Sequence, residues 1–130
     1  MKVDHIELKL PAKPEYILVV RLTTSAIATR AGFGVDEIED IKVAVAEAGN
    51  AIINQGMEME CLNFMYEIEG NTGLRIHITV SCPQDKPFSQ PDVVQNELSL
   101  YIIESLMDEV STQVSDGRLL GVTMYKKFGG

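Results

Sequence analysis

The sequence has no tryptophan, only two cysteines and no excess of positive charge. Cys61 and Cys82 are isolated and lack metal-ligand spacing, so we expect two reduced thiols in a cytoplasmic protein. There are 11 Lys and Arg against 19 Asp and Glu, which gives a formal net charge of -8. Phosphate binding needs clustered basic residues, so this balance argues against nucleic acid as the main partner.

Long hydrophobic runs are also missing. The apolar runs fall far short of a membrane span, and the N-terminal stretch "MKVDHIELKLPAK" alternates charged and apolar residues without a signal-peptide core. No internal repeat or low-complexity segment is visible. With 130 residues, of which 45% are hydrophobic, the chain predicts a single globular domain over 1–130.

Hydrophobic periodicity predicts eight elements in the order β-α-α-β-β-α-β-β. The predicted strands lie at 5–11, 60–69, 73–81, 111–115 and 118–128, and the predicted helices at 14–31, 34–56 and 93–110. The stretch "GNTG" and the dipeptide Asp116-Gly117 are typical hairpin turns, and 82–92 is predicted as a loop. Hairpin-linked strands with helices between them indicate an α/β two-layer fold, with a mixed or mostly antiparallel sheet covered by helices on one face.

Each helix has an apolar stripe at spacings of three and four. On the second helix, Asp36 is a candidate cap and Gly56 a candidate end. The stripes are Ile17, Val20, Thr24 and Ile27 on the first helix, Ile38, Ile41, Val45, Ala48 and Ile52 on the second, and Leu98, Ile102, Leu106 and Val110 on the third.

The stretch "AVAEAGNAIINQ" carries an acidic residue, Glu47, and an amide, Asn50, among small and apolar residues. The pattern alone favours a solvated polar face opposite the stripe, while a metal and nucleotide site, or the remains of one, stays open as an alternative. His5 and His77 lie on the polar faces of their strands without a partner at ligand spacing, which is typical of structural histidines.

Several stretches together resemble the anti-sigma-factor serine kinases of the general-stress and sporulation pathways, a family of the Bergerat-type (GHKL) ATPase superfamily. They are "DHIELKLPAKPEYILVVRL", "VDEIEDIKVAVAEA", "NAII", "IIESLMDEV" and "GVTM", in the order of the family and over nearly the whole chain. The resemblance implies a nucleotide held between sheet and helices. It also implies binding of a sigma factor, and ATP- and magnesium-dependent serine phosphorylation of an antagonist of the STAS class.

By the resemblance, Glu47 occupies the position of the catalytic base and Asn50 that of the magnesium ligand. In the family the asparagine follows the glutamate by four residues, whereas here it follows by three. Four helical residues advance ~400° and three advance ~300°, so Asn50 is displaced by about a quarter turn relative to Glu47.

The other family motifs are also altered. Cys82 and Gln84 replace the aspartate and glycine of the adenine motif, and Glu97 and Ser99 replace two phosphate-loop glycines, while Thr123 matches the pocket threonine. A carboxylate ~4 Å from a phosphate charge costs on the order of 4 kcal/mol at an effective dielectric near 20. We therefore expect a degenerate ATP site with no bound cofactor.

The resulting expectation is a regulator of a partner-switching pathway that binds a sigma factor, a STAS-domain protein or both, without kinase activity. The alternatives are an active Mg-ATP-dependent serine kinase and a pocket that takes another ligand. Arg21 matches the family arginine that contacts both partners, and arginine suits bidentate pairing with carboxylates. A homodimer is expected from the resemblance, with the first strand as a candidate edge.

Overall fold

A computed structural model of the chain describes residues 3–56, 59–81 and 93–129, with the side chains of 93–96 excepted. It contains five strands and three α-helices in the predicted order, and a 3-10 turn, Pro14–Tyr16, leads into the first helix. The elements are β1 (Val3–Pro11), α1 (Ile17–Ala31), α2 (Val35–Ile53), β2 (Cys61–Glu69), β3 (Gly73–Ser81), α3 (Val93–Leu106), β4 (Glu109–Ser115) and β5 (Arg118–Lys127). The predicted loop at 82–92 lies outside the described residues.

The five strands form one sheet in the order β1-β2-β3-β5-β4. Every pairing in the described part of the sheet is antiparallel, which confirms the predicted two-layer fold with a mostly antiparallel sheet and makes it an α+β fold. The β4–β5 turn has positive φ at both central residues, 52° at Asp116 and 75° at Gly117, as a two-residue hairpin with the twist of its strands requires.

The core lies between one face of the sheet and the helix layer. α2 packs against both α1 and α3 and is therefore the central helix. The inward strand residues are fully or almost fully buried: Leu62, Phe64, Tyr66, Leu74, Ile76, Ile78, Val122 and Met124. Ile6, Leu8 and Leu10 of β1 are half-buried against the same cluster, so the chain itself covers most of their apolar surface.

Two details of the helices differ from the sequence predictions. Gly34, rather than Asp36, is the N-cap of α2, because the Glu37 carboxylate accepts a 3.0 Å hydrogen bond from the Gly34 N–H. The predicted stripe of α3 is wrong by one position. Leu98 is 62% exposed, and the buried residues are Ser99, Ile103 and Met107, of which Met107 follows the helix end.

The end of α3 also differs, because the helix ends at Leu106 and Val110 belongs to β4. The sequence predicts a helix one turn longer, because the apolar spacing of four residues continues from Leu106 to Val110 in β4. No helix in the described residues is long and apolar enough to cross a membrane.

Candidate functional site

Glu47 and Asn50 both lie on α2, which continues as a regular helix through Gly49. Gly49 is buried, and a Cβ placed there would lie 2.9 Å from Ile17 Cδ1 and 3.6 Å from Phe64 Cζ. The glycine therefore lets α2 approach α1 and the sheet closely. The helix has no local distortion that would restore the four-residue spacing between the carboxylate and the amide.

The Glu47 side chain is directed towards α3. Its Oε1 accepts a hydrogen bond of 2.9 Å from the Ser99 hydroxyl. Ser99 is only 5% exposed, so this bond lies in the packed boundary between α2 and α3. A hydrogen bond to an ionised acceptor contributes about 1.5–3 kcal/mol. The Glu47 carboxylate thus links α2 to α3. A catalytic base would instead offer this oxygen to a substrate hydroxyl.

Asn50 lies on the side of α2 that faces α1. It lines a groove of about 580 Å³ between α1 and α2, together with Pro14, Ile17, Leu18, Arg21, Leu22 and Lys42. The residue three positions after another on a helix is rotated ~60° backwards, whereas the residue four positions after it is rotated ~40° forwards. The shortened spacing therefore places Asn50 ~100° around the helix from the position that a four-residue spacing would give, on the side of α1.

The remaining altered positions fall into two groups. Glu97 and Ser99 are ordinary residues of α3, with Glu97 exposed and Ser99 buried, so a helix occupies the place where the resemblance implies a glycine loop. Cys82 and Gln84 lie outside the described residues.

Thr123 lies on the opposite face of the sheet. It pairs with His77 across β3 and β5, and its hydroxyl is 3.2 Å from His77 Nδ1. The neighbouring residues Val122 and Met124 point into the core. Because side chains alternate along a strand, Thr123 cannot share a pocket with Glu47 and Asn50. Its match to the family's pocket threonine stays a prediction from the resemblance.

A polar network on that outer face was missed from the sequence. His77 Nε2 is 2.7 Å from Glu67 Oε1, and His5 Nδ1 is 3.6 Å from Glu67 Oε2. The two histidines therefore have a shared carboxylate partner across β1, β2 and β3. Pairing the predicted strands in register would have found it, because His5 lies directly opposite Glu67.

Arg21 is exposed on α1 and faces the same groove as Asn50. Among the described residues no carboxylate lies within ion-pair distance of it, whereas Lys42 of the groove bonds Glu39 at 3.0 Å. Its guanidinium is available to a partner as far as the described part of the chain shows.

The site residues do not fit Mg-ATP in the arrangement that the resemblance implies. The carboxylate is bonded to Ser99, the amide faces α1, and the threonine is on the other side of the sheet. No group of three His, Cys, Asp or Glu side chains in the described residues is placed to hold a metal ion.

Comparison with known proteins defines the class. Residues 10–126 match the model of the histidine kinase-like ATPase domain, so the chain belongs to this family. The antiparallel sheet with helices on one face agrees with the GHKL fold.

Within the family, the chain is similar to proteins named serine-protein kinase RsbW. It is 36% identical to the protein of Bacillus licheniformis strain ATCC 14580, over 94% of this chain and 86% of that protein. It is 33% identical to that of Bacillus subtilis strain 168 (94% and 86%) and 34% identical to that of Staphylococcus epidermidis (95% and 88%). These relatives confirm the family predicted from the sequence.

Proposed function

We propose that this chain is a cytoplasmic regulator of a partner-switching pathway that binds a sigma factor, a STAS-domain protein or both, without kinase activity. The observation that supports it is the separation of the two site residues, because Glu47 bonds Ser99 on α3 while Asn50 lines the groove beside α1. Phosphoryl transfer depends on positioning a base, a metal and the phosphates together. Partner binding through the exposed face of α1, where Arg21 lies, does not depend on the distance between Glu47 and Asn50.

The second candidate function is a serine protein kinase that acts on a STAS-domain protein. The names of the relatives favour it, since they are serine-protein kinases over nearly the same length. This function would need ATP and magnesium between the sheet and the helices, as the resemblance implies. It therefore predicts nucleotide binding, which the first proposal does not.

We expect 1 mM Mg-ATP to leave the thermal stability of the protein nearly unchanged. A ligand present at 100 times its dissociation constant stabilises a native protein by about 2.7 kcal/mol, so micromolar binding would be plain in a thermal-shift assay. The Bacillus subtilis relative measured in parallel is the matched control. A clear rise in the Tm of this chain, or a micromolar Kd by calorimetry, would overturn the proposal and favour the kinase.

Arg21→Ala is expected to weaken partner binding at least tenfold, which is ~1.4 kcal/mol, with the Tm nearly unchanged. The exposed guanidinium has no ion pair among the described residues to lose on folding, but its planar fork suits partner carboxylates. Calorimetry would use a sigma factor or STAS-domain protein of the same organism that binds wild type. Arg30→Ala, on an exposed residue of the same helix, is the control. Equal affinity of Arg21→Ala and wild type would show that this residue is not a contact.

We also propose that the protein is a homodimer. β1 is an edge strand, as the sequence predicted, and it pairs with β2 alone in the described sheet. Its outer backbone groups are open to a second chain.

A further inference from the structure

The negative charge of the chain is concentrated in one stretch of sequence. Residues 87–117 contain six of the 19 acidic residues and no Lys or Arg, which leaves 13 acidic against 11 basic residues in the rest of the chain. This stretch therefore carries six of the eight net negative charges. A partner that approaches α3 and β4 meets charge of one sign. In the described part of the stretch the acidic residues are all exposed: Glu97, Glu104, Asp108, Glu109 and Asp116.

The outward side of α3 also exposes two large apolar side chains. Leu98 is 62% exposed and Tyr101 is 72% exposed, whereas Ile103 of the same helix is fully buried. Residues three apart on a helix are neighbours on its surface, so Leu98 and Tyr101 form one apolar patch. Tyrosine is enriched at protein contact surfaces, because its ring buries a large area while its hydroxyl still finds a polar partner.

Two carboxylates lie beside this patch. With ~100° of rotation per residue, Glu97 and Glu104 lie ~40–60° around the helix from Tyr101, on the side away from Leu98. Neither carboxylate is in an ion pair among the described residues. Lys126 reaches α3 only at its end, where it donates a 2.7 Å hydrogen bond to the carbonyl of the last helical residue. The flank of the patch therefore keeps its negative charge.

The charge decides which kind of partner suits the patch. Nucleic acids and anionic membrane surfaces are repelled by it. A second copy of this chain, docked through the same patch, would bring like carboxylates together, which opposes association. Residues 82–92 of the chain itself hold one Lys against two Asp, so they offer no basic surplus. The complementary partner is a protein segment that combines apolar side chains with Lys or Arg.

We propose that the exposed side of α3 is a docking surface for a basic, amphipathic segment of a protein partner. Apolar side chains of that segment pack on Leu98 and Tyr101, and its Lys or Arg side chains pair with Glu97 and Glu104. The surface contains no residue of α1 and none that lines the groove beside it. The inference therefore goes beyond the proposed function and does not depend on it.

The test is calorimetric titration of the full chain with a helical peptide of ~14 residues, made of leucine and lysine with the leucines at spacings of three and four. We expect the double variant Leu98→Ser, Tyr101→Ser to bind the peptide at least fivefold more weakly than wild type. Leu22→Ser is the matched control and should stay within twofold, because Leu22 is equally exposed, at 63%, but lies on α1. Circular dichroism checks that each variant is folded.

A second pair of variants separates docking from attraction by net charge. Glu104→Gln is expected to weaken peptide binding at least threefold, because it removes a carboxylate beside the patch. Glu7→Gln removes the same charge from an exposed residue of β1 and should stay within twofold of wild type. The wild-type affinity should also fall as salt is added, since exposed ion pairs are screened.

Several results would overturn this inference. They are the absence of a binding heat with wild type up to ~1 mM peptide, wild-type affinity in the Leu98→Ser, Tyr101→Ser variant, and equal weakening by Glu7→Gln and Glu104→Gln. If light scattering shows that the double variant turns a dimer into a monomer, the patch is an interface between copies and the proposal fails. None of these results decides the proposed function, which is tested by Mg-ATP and by Arg21→Ala.

Discussion

Replacing Gln55 with leucine is expected to lower the free energy of unfolding by about 3 kcal/mol, since two buried backbone groups then lose their hydrogen bonds at 1–3 kcal/mol each. Gln55 is 3% exposed and follows the end of α2. Its Oε1 accepts a hydrogen bond of 2.6 Å from the Leu119 N–H, and its Nε2 donates to the Leu119 carbonyl at 2.8 Å.

The position of Leu119 explains why its backbone N–H and carbonyl bond a side chain rather than a neighbouring strand. The β3–β5 pairing ends at Thr79 and Gly121, so the first residues of β5 have no β3 neighbour. The Gln55 amide takes the place of that neighbour and connects the helix layer to the sheet. Leucine fills a similar volume, but it offers neither a donor nor an acceptor to Leu119.

Urea denaturation at neutral pH measures the change in the free energy of unfolding. Asn54→Ala is the control, because Asn54 is exposed and adjacent in the chain, and surface substitutions change stability by about 0.5 kcal/mol or less. A loss below about 1 kcal/mol for Gln55→Leu would mean that the Leu119 groups find other partners.

The second large effect is expected in alkaline solution, where the wild type should lose up to about 3 kcal/mol of stability that the Tyr66→Phe variant does not lose. Tyr66 is fully buried under the helix layer, and its hydroxyl lies 2.7 Å from the Thr24 hydroxyl. Burial disfavours the phenolate and raises the pKa of Tyr66 to about 12, although the hydrogen bond with Thr24 opposes the shift.

The raised pKa sets the direction and the pH range of the effect. The native state holds its proton more tightly than the unfolded state, whose tyrosine pKa is near 10. The stabilisation by Tyr66 is therefore complete below about pH 10 and is lost as the pH rises from there towards about 12. The slope of this loss approaches ~1.4 kcal/mol per pH unit.

The measurement is the difference in unfolding free energy between wild type and Tyr66→Phe, taken by urea denaturation at pH steps from about 8 to 11.5. Other groups titrate in this range, but they are common to both proteins and cancel in the difference. Tyr101→Phe is the control, since Tyr101 is 72% exposed. A difference independent of pH would contradict a buried phenol with a raised pKa.

Most of the fold could be predicted from the sequence because local pattern and tertiary packing agree. The stripe of α2 is buried at Ile41, Val45, Ala48 and Ile52, and the predicted Asp116-Gly117 turn has positive φ at both residues. α3 is the exception, because Leu98 and Ser99 are adjacent and hydrophobicity favoured the leucine. In the structure Ser99 is the buried residue, and its hydroxyl bonds Glu47. A bond between residues distant in the chain leaves no local sequence pattern.

The site was predictable in its parts but not in its arrangement. The three-residue spacing of Glu47 and Asn50 indicated a displacement of Asn50 by about a quarter turn, since helical rotation follows from residue count, and the role of the two residues stays a prediction. The direction in which each one points depends on which helix packs on which side of α2. Thr123 shows the same limit. Its motif matched the family. Its side chain lies on the outer face of the sheet, and which face a side chain takes depends on the register of β5 with β3.

The two edges of the sheet differ in how readily another chain could extend them. β1 runs for nine residues in uninterrupted register with β2, and within the described residues its outer backbone groups form a regular row without a strand partner. β4 is shorter and polar, and its register with β5 shifts between Gln113 and Val114. Irregular, polar edges resist strand addition. Extension of the sheet by a second chain, as in the proposed homodimer, is therefore expected at β1 rather than at β4.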